Sequence, residues 1–129
     1  MSKFVLERFE IIRGHTPFFK LKVNGVCLFD EFWEEIEAQG NLSGQLKSAL
    51  SIMERVAQNL PTSPEKFKNI TDRGDPVNEY EIKTKDLRIY LFRNHDGAII
   101  VSGGKKSTQR KDIKRFKNLT KEYYNTLQP

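Results

Sequence analysis

The stretch that most constrains the fold is Tyr80 to Tyr124, which reads strand, strand, strand and then a basic helix. YEIKTKD, LRIYLFRN and AIIVSGG are apolar-rich runs of strand length, and KKSTQRKDIKRFKNLTK follows them directly. The last segment carries Lys105, Lys106, Arg110, Lys111, Lys114, Arg115, Lys117 and Lys121 against one acidic residue, Asp112. A sheet edge bearing Lys and Arg beside a cationic helix is a surface suited to a polyanion.

The residues before it supply the layer such a sheet needs. Phe4–Ile12 is rich in β-formers, Arg13–Pro17 is a turn, and Phe18–Val23 alternates with Phe19, Leu21 and Val23 on one face. Asn24-Gly25 tolerates positive φ at both positions, which predicts a hairpin with Val26–Phe29 as the returning strand. Asp30 is placed to N-cap a short helix buried through Phe32, Trp33 and Ile36 and ended by Gly40. Ser43 caps a second helix, in which Leu42, Leu46, Ala49, Leu50, Met53, Val56, Ala57 and Leu60 recur at helical spacing until Pro61.

Pro61–Asn78 reads as loop with a short strand near Phe67–Ile70. Strands are then expected at Glu79–Thr84, Leu87–Arg93 and Ala98–Ser102, the last two joined at Asn94-His95-Asp96-Gly97, with Gly103-Gly104 breaking the last. Ser107 or Thr108 caps a terminal helix with Ile113, Phe116, Leu119, Tyr123 and Leu127 apolar. The expected order is β-β-β-α-α-β-β-β-α, a single α+β domain over 1–129. It divides into N-terminal strands (1–29), a helical hairpin (30–60), central antiparallel strands (79–103) and a C-terminal helix (107–127). Strand parity sends Leu87, Ile89 and Leu91 towards the helical hairpin, with Tyr80 and Ile82 beside them. It leaves Arg88, Tyr90 and Phe92, with Glu81, Lys83 and Lys85, on an open face, where aromatic rings stack bases and cations meet phosphates.

Charge agrees with this reading. The net charge is +5, yet residues 1–60 carry 7 Lys and Arg against 8 Asp and Glu, so the excess lies in the C-terminal part. Cys27 is the single cysteine, which rules out an internal disulfide and a Cys-based zinc site; in VCLF it reads as a buried thiol. MSKFVLERFE is broken by charge unlike a signal peptide, and no apolar run nears the ~18–20 residues of a membrane span. A cytoplasmic location is expected. His15 and His95 fall in separate turns, and GGKK lacks the spacing of a phosphate-binding loop.

One constellation is left: Lys83, Lys85, Arg88, Lys105, Lys106 and Arg110. Cleavage of RNA by its own 2′-hydroxyl needs in-line geometry, cations beside the phosphorane and groups that move two protons. A guanidinium grips two phosphate oxygens at once, which suits Arg88, and crowding by like charges suits Lys83 or Lys85 to act as base. Basic strands that merely bind nucleic acid are equally compatible with these residues.

At the same residues the chain resembles the RelE/ParE superfamily of bacterial toxins from type II toxin–antitoxin pairs, in its HigB-like, phage-derived branch. The similarity is carried by YEIKTKDLRIYLF, the following Asp-Gly, IIVSGGKKSTQRKDI and the basic helix, with NGVCLFDEFWEEI leading into the first helix. The resemblance spans most of Val23 to Tyr124. It implies a RelE-like α+β fold: a mostly antiparallel sheet packed on a helical hairpin, with a C-terminal basic helix and an extra N-terminal strand. It implies a ribosome-dependent mRNA endoribonuclease that needs no metal or cofactor and is silenced by a small antitoxin, expected to carry a helix-turn-helix. Carried over residue by residue, it makes Arg88, Lys83, Lys85 and Lys106 catalytic, beside RNA contacts from Lys105, Arg110, Lys111 and Tyr90. Asp112 falls where RelE-type members place a tyrosine, so the proton-transfer groups stay unassigned. A ParE-like inhibitor of DNA gyrase, or an inactive module binding RNA or an antitoxin, is the alternative.

Overall fold

A computed structural model describes residues 2–127. The elements run β1 (Phe4–Arg8), β2 (Phe18–Val23), α1 (Leu28–Gln39), α2 (Ser43–Ala57), β3 (Phe67–Asn69), β4 (Asn78–Lys83), β5 (Leu87–Asn94) and β6 (Gly97–Lys105). A 3-10 turn (Lys106–Thr108) leads into α3 (Gln109–Leu127). The strands form one sheet in the order β1-β2-β6-β5-β4-β3. Its pairs are antiparallel except β2 with β6, which run parallel. The fold is α+β, a mixed six-stranded sheet with three helices.

Both faces of the sheet are covered. On one, Phe29, Phe32 and Ile36 of α1 and Leu46, Ala49, Met53 and Val56 of α2 pack on Ile82, Leu87, Ile89, Leu91, Ala98 and Ile100. On the other, Phe116 and Tyr123 of α3 pack on Leu21, Tyr90, Phe92, Ile99 and Val101. Alternation within β5 and β6 therefore sorts two apolar sets onto two cores, the pattern of a strand buried on both sides.

This overturns the expectation of an open face. Tyr90 and Phe92 are wholly buried and Arg88 is 2% exposed. Phe116 and Tyr123 lie seven residues apart on one side of α3, and an apolar stripe of that kind has to be buried on something. The second face of the sheet is what it meets, with the Tyr90 and Phe116 rings stacked 5.6 Å apart. Asp112 and Thr120 share the buried stripe, whereas Leu127, expected in it, is 58% exposed.

Other expectations change as well. Asp30 and Ser43 do not cap their helices: both lie inside them, the N-cap positions being Cys27 and Leu42. Val26–Phe29 is not a strand: Asn24 and Gly25 make the positive-φ turn, but only a single bridge, Val23 to Val26, follows before α1 begins at Leu28. Helical spacing of Phe29, Phe32 and Ile36 outweighs the hairpin signal, and β2 pairs back onto β1 instead. Leu60 lies past the end of α2 and is 44% exposed, since the helix stops at Ala57 before the positive-φ Asn59.

Gly103 and Gly104 do not break β6. They continue it and let a helix approach on each side. A Cβ on Gly103 would collide with the Phe32 ring, and one on Gly104 with the Asp112 carboxylate. An extra residue in β6, Val101, shifts the register so that Tyr90 pairs with Ser102, Ile89 with Gly103 and Arg88 with Gly104. That bulge puts Ser102 on the α3 side of the sheet, beside Tyr90.

Candidate nucleic-acid interface

The β4–β5 turn and the end of β6 meet at one end of the sheet. Lys83 pairs with Arg88, Arg88 with Gly104 and Leu87 with Lys105. The Lys106 amide donates to the Asp86 carbonyl at 2.8 Å, so the chain passes from β6 into α3 directly against the turn. Four predicted site residues, Lys83, Lys85, Lys105 and Lys106, are thus gathered within this one junction. Lys83, Lys85 and Lys106 are exposed, and Lys105 is half-buried with Nζ donating to Gln39 Oε1 at 3.1 Å. Arg110 and Lys111 follow on the outer face of α3, in an exposed stripe with Lys114, Arg115 and Lys121. Among the described residues, none of these side chains makes an ion pair.

Two clefts flank the junction. One, of about 550 Å³, opens between α2 and the β3–β4 edge, with Lys66, Lys83 and Lys85 on its rim. The other, of about 620 Å³, is lined by Asn41, Leu42, Asp86, Lys105, Lys106 and Ser107. The turn between them is rigid. Gln45 of α2 accepts from the Thr84 hydroxyl (2.6 Å) and the Asp86 amide (2.8 Å) and donates to Asp86 Oδ2 (2.7 Å). The predicted cations therefore share one end of the molecule but not one concavity.

Arg88 and Tyr90 belong to neither cleft. The Arg88 guanidinium lies under α3, where Nη1 donates to the carbonyls of Thr84 (2.7 Å) and Leu87 (2.8 Å). Its Nε, the Tyr90 hydroxyl and the Ser102 hydroxyl are buried without a hydrogen-bond partner. Glu81 and Asp112 are buried beside them: Gln109 Nε2 donates to Glu81 Oε2 at 2.7 Å, and the Thr108 hydroxyl donates to Asp112 Oδ2 at 2.6 Å. Burial, with the charges of Glu81 and Asp112 adding to it, pushes the Tyr90 hydroxyl well above the usual phenol range. Tyr90 is a protonated, enclosed donor, and its ring is already stacked on Phe116. No sequence signal marks this polar layer. Glu81 is expected on the open face and Ser102 is given no face by the strand pattern; α3 makes both interior.

Lys117, counted with the basic face, is internal as well. Its ammonium donates to Glu79 Oε1 (2.6 Å), Asp75 Oδ2 (2.6 Å) and the Ile70 carbonyl (2.8 Å), with Asp72 at 3.3 Å. This fastens α3 to the loop before β4. The basic face is smaller by one charge and the helix is held by it.

His15 and His95 are exposed and far apart in the chain, and Cys27 is buried as a small apolar group. Among the described residues no group of three or more His, Cys, Asp or Glu is placed to hold a metal ion, and no helix is long and apolar enough to cross a membrane. Comparison with protein-family models, curated proteins and solved structures returned no match.

Proposed function

We propose that this protein is a RelE/ParE-like toxin of a type II toxin–antitoxin pair, acting as a ribosome-dependent mRNA endoribonuclease neutralised by a cognate antitoxin. The observation that carries the reading is the unpaired cationic junction where the β4–β5 turn meets the end of β6. Lys83, Lys85, Lys105 and Lys106 are held there on a clamped turn, continuous with Arg110 and Lys111. Uncompensated ammonium groups on a rigid support suit a phosphodiester chain, because positioning and charge stabilisation are most of what phosphate chemistry asks of a protein. The α+β sheet, with a helical hairpin on one face and a basic helix after the last strand, supports the reading.

In the proposed reaction the 2′-hydroxyl attacks the adjacent phosphorus, the 5′-oxygen leaves, and a 2′,3′-cyclic phosphate results. Lys83 or Lys85, as the neutral amine, takes the 2′-hydroxyl proton, and water gives the departing 5′-oxygen the proton that makes it a hydroxyl. Lys106 holds a non-bridging oxygen, and Arg88 bears on the charge of the phosphorane. Arg88 is shut off from solvent, with Nη1 held by the carbonyls of Thr84 and Leu87. Its contact with RNA therefore requires the packing over it to open. A cytoplasmic site of action follows from the ribosomal substrate.

Controlled expression in growing bacteria tests the reading. Growth arrest is expected together with new transcript 5′ ends inside translated regions. Arrest with intact transcripts and broken DNA would replace the nuclease by a gyrase inhibitor. Neither arrest nor cutting would leave a module that only binds.

A further inference from the structure

The cleft between α2 and the β3–β4 edge carries more than the predicted lysines. Besides Lys83 and Lys85 it is lined by Lys66 and Arg55, by hydroxyl residues of α2 and of the 61–63 segment, and by no Asp or Glu. Lys66 and Lys83 sit side by side, because the Lys83 amide donates to the Lys66 carbonyl at 2.8 Å. Like charges on adjacent strands repel one another, and among the described residues neither side chain has an anionic partner to relieve that.

The walls of this cleft are fixed. At one end Gln45 clamps the β4–β5 turn, and at the other Arg55 donates through Nε (2.9 Å) and Nη2 (2.5 Å) to the Pro61 carbonyl. No aromatic residue lines it, so a base entering it would find no ring to stack on. What it offers is ammonium groups and hydroxyls, the donors that take phosphate oxygens without reading sequence.

We propose that this cleft is a phosphate track for single-stranded RNA, with Lys66 at its outer end and Lys83 and Lys85 passing the strand on to the junction. The inference rests on RNA being the substrate, and it adds a binding subsite built by α2, the 61–66 segment and the β4–β5 turn, in a cleft that Arg88 does not line. Two successive phosphates held there would fix the direction and register of the strand past the junction. Binding along it would be indifferent to base identity.

Lys66→Met tests this, with Lys47→Met as the control, since Lys47 is an exposed cation of α2 outside the cleft. Binding of short single-stranded RNAs of several sequences is followed by fluorescence anisotropy over a range of salt concentrations, and pyrophosphate is titrated in parallel. Lys66→Met should weaken every RNA alike and lower the slope of log Kobs against log salt by about 0.7, the share of one phosphate contact on a single strand. Lys47→Met should leave the slope as in the wild type, and the urea midpoints of both variants should match it. An unchanged slope in Lys66→Met, while Lys106→Met lowers it, overturns the track and leaves the proposed function standing. Wild type that binds no RNA overturns both. Pyrophosphate binding lost in Lys66→Met, with RNA binding untouched, would mean a small phosphate ligand and also overturns the track.

Discussion

Lys117→Met is expected to destabilise the fold by about 3–5 kcal/mol, the range for removing one partner of a buried ion pair. The Lys117 side chain is 15% exposed and holds Glu79, which is fully buried, and Asp75, which is 5% exposed. Methionine keeps most of the stem but leaves these carboxylates facing one another without a cation. It also releases the Ile70 carbonyl, so the 70–76 loop and the middle of α3 come apart together.

The pH dependence gives this effect a signature. One ammonium cannot balance the surrounding carboxylates, so burial pushes Glu79 up to about 7, while Asp75 is held down to about 2 by hydrogen bonds from Lys117 and from the Asp72 amide, which outweigh its own burial. For Asp75 the folded state binds its proton less readily than the unfolded chain, so its contribution is present above pH 3.8 and is lost as pH falls towards 2. For Glu79 the folded state keeps a proton that the unfolded chain gives up at 4.5, so stability falls as pH rises from about 4.5 to 7. Urea unfolding should therefore find the wild type most stabilised by this cluster between those windows. In Lys117→Met the decline above pH 4.5 should steepen and reach further, since no cation favours the Glu79 carboxylate. Equal urea midpoints for variant and wild type at pH 5 and pH 8 would contradict the internal role of Lys117.

Arg88→Met should slow RNA cutting by about 10²–10³, the usual loss when a charge-stabilising donor is removed. Because Arg88 is among the largest fully buried side chains, alanine would leave a cavity under α3 and confuse folding with chemistry. Methionine fills most of that volume. Its cost to stability includes the carbonyls of Thr84 and Leu87, which lose their donor, about 1–3 kcal/mol, and the loss of a cation near the buried Glu81 and Asp112. Cutting is to be compared at a temperature where both proteins are folded. A variant that cuts at the wild-type rate would remove Arg88 from the reaction.

Much of the architecture was legible because each element carries its own local signal. Phe18–Val23 alternates, α1 ends on a positive-φ Gly40, and the three-residue β3 lies within Phe67–Ile70. What the sequence could not convey was which surfaces meet. Arg88, Tyr90 and Phe92 have the composition of an RNA-binding face, and the same composition serves to line a core once α3 lies over it. Gly103-Gly104 reads as a strand breaker because its reason for being glycine is Phe32 on one side and Asp112 on the other. Lys117 reads as one more basic residue because its partners, Asp75 and Glu79, stand some forty residues earlier. The basic junction itself was foreseeable as a set of residues. Its division between two clefts, with the clamped turn in the middle, was not.

The central claim is that this cationic junction cuts RNA during translation. The most direct measurement incubates the purified wild-type protein with ribosomes translating a defined message and identifies the ends of the products. Fragments ending in 2′,3′-cyclic phosphate and beginning with a 5′-hydroxyl are predicted, formed only while ribosomes translate. An intact message under those conditions, with the protein bound to the ribosomes, would contradict it.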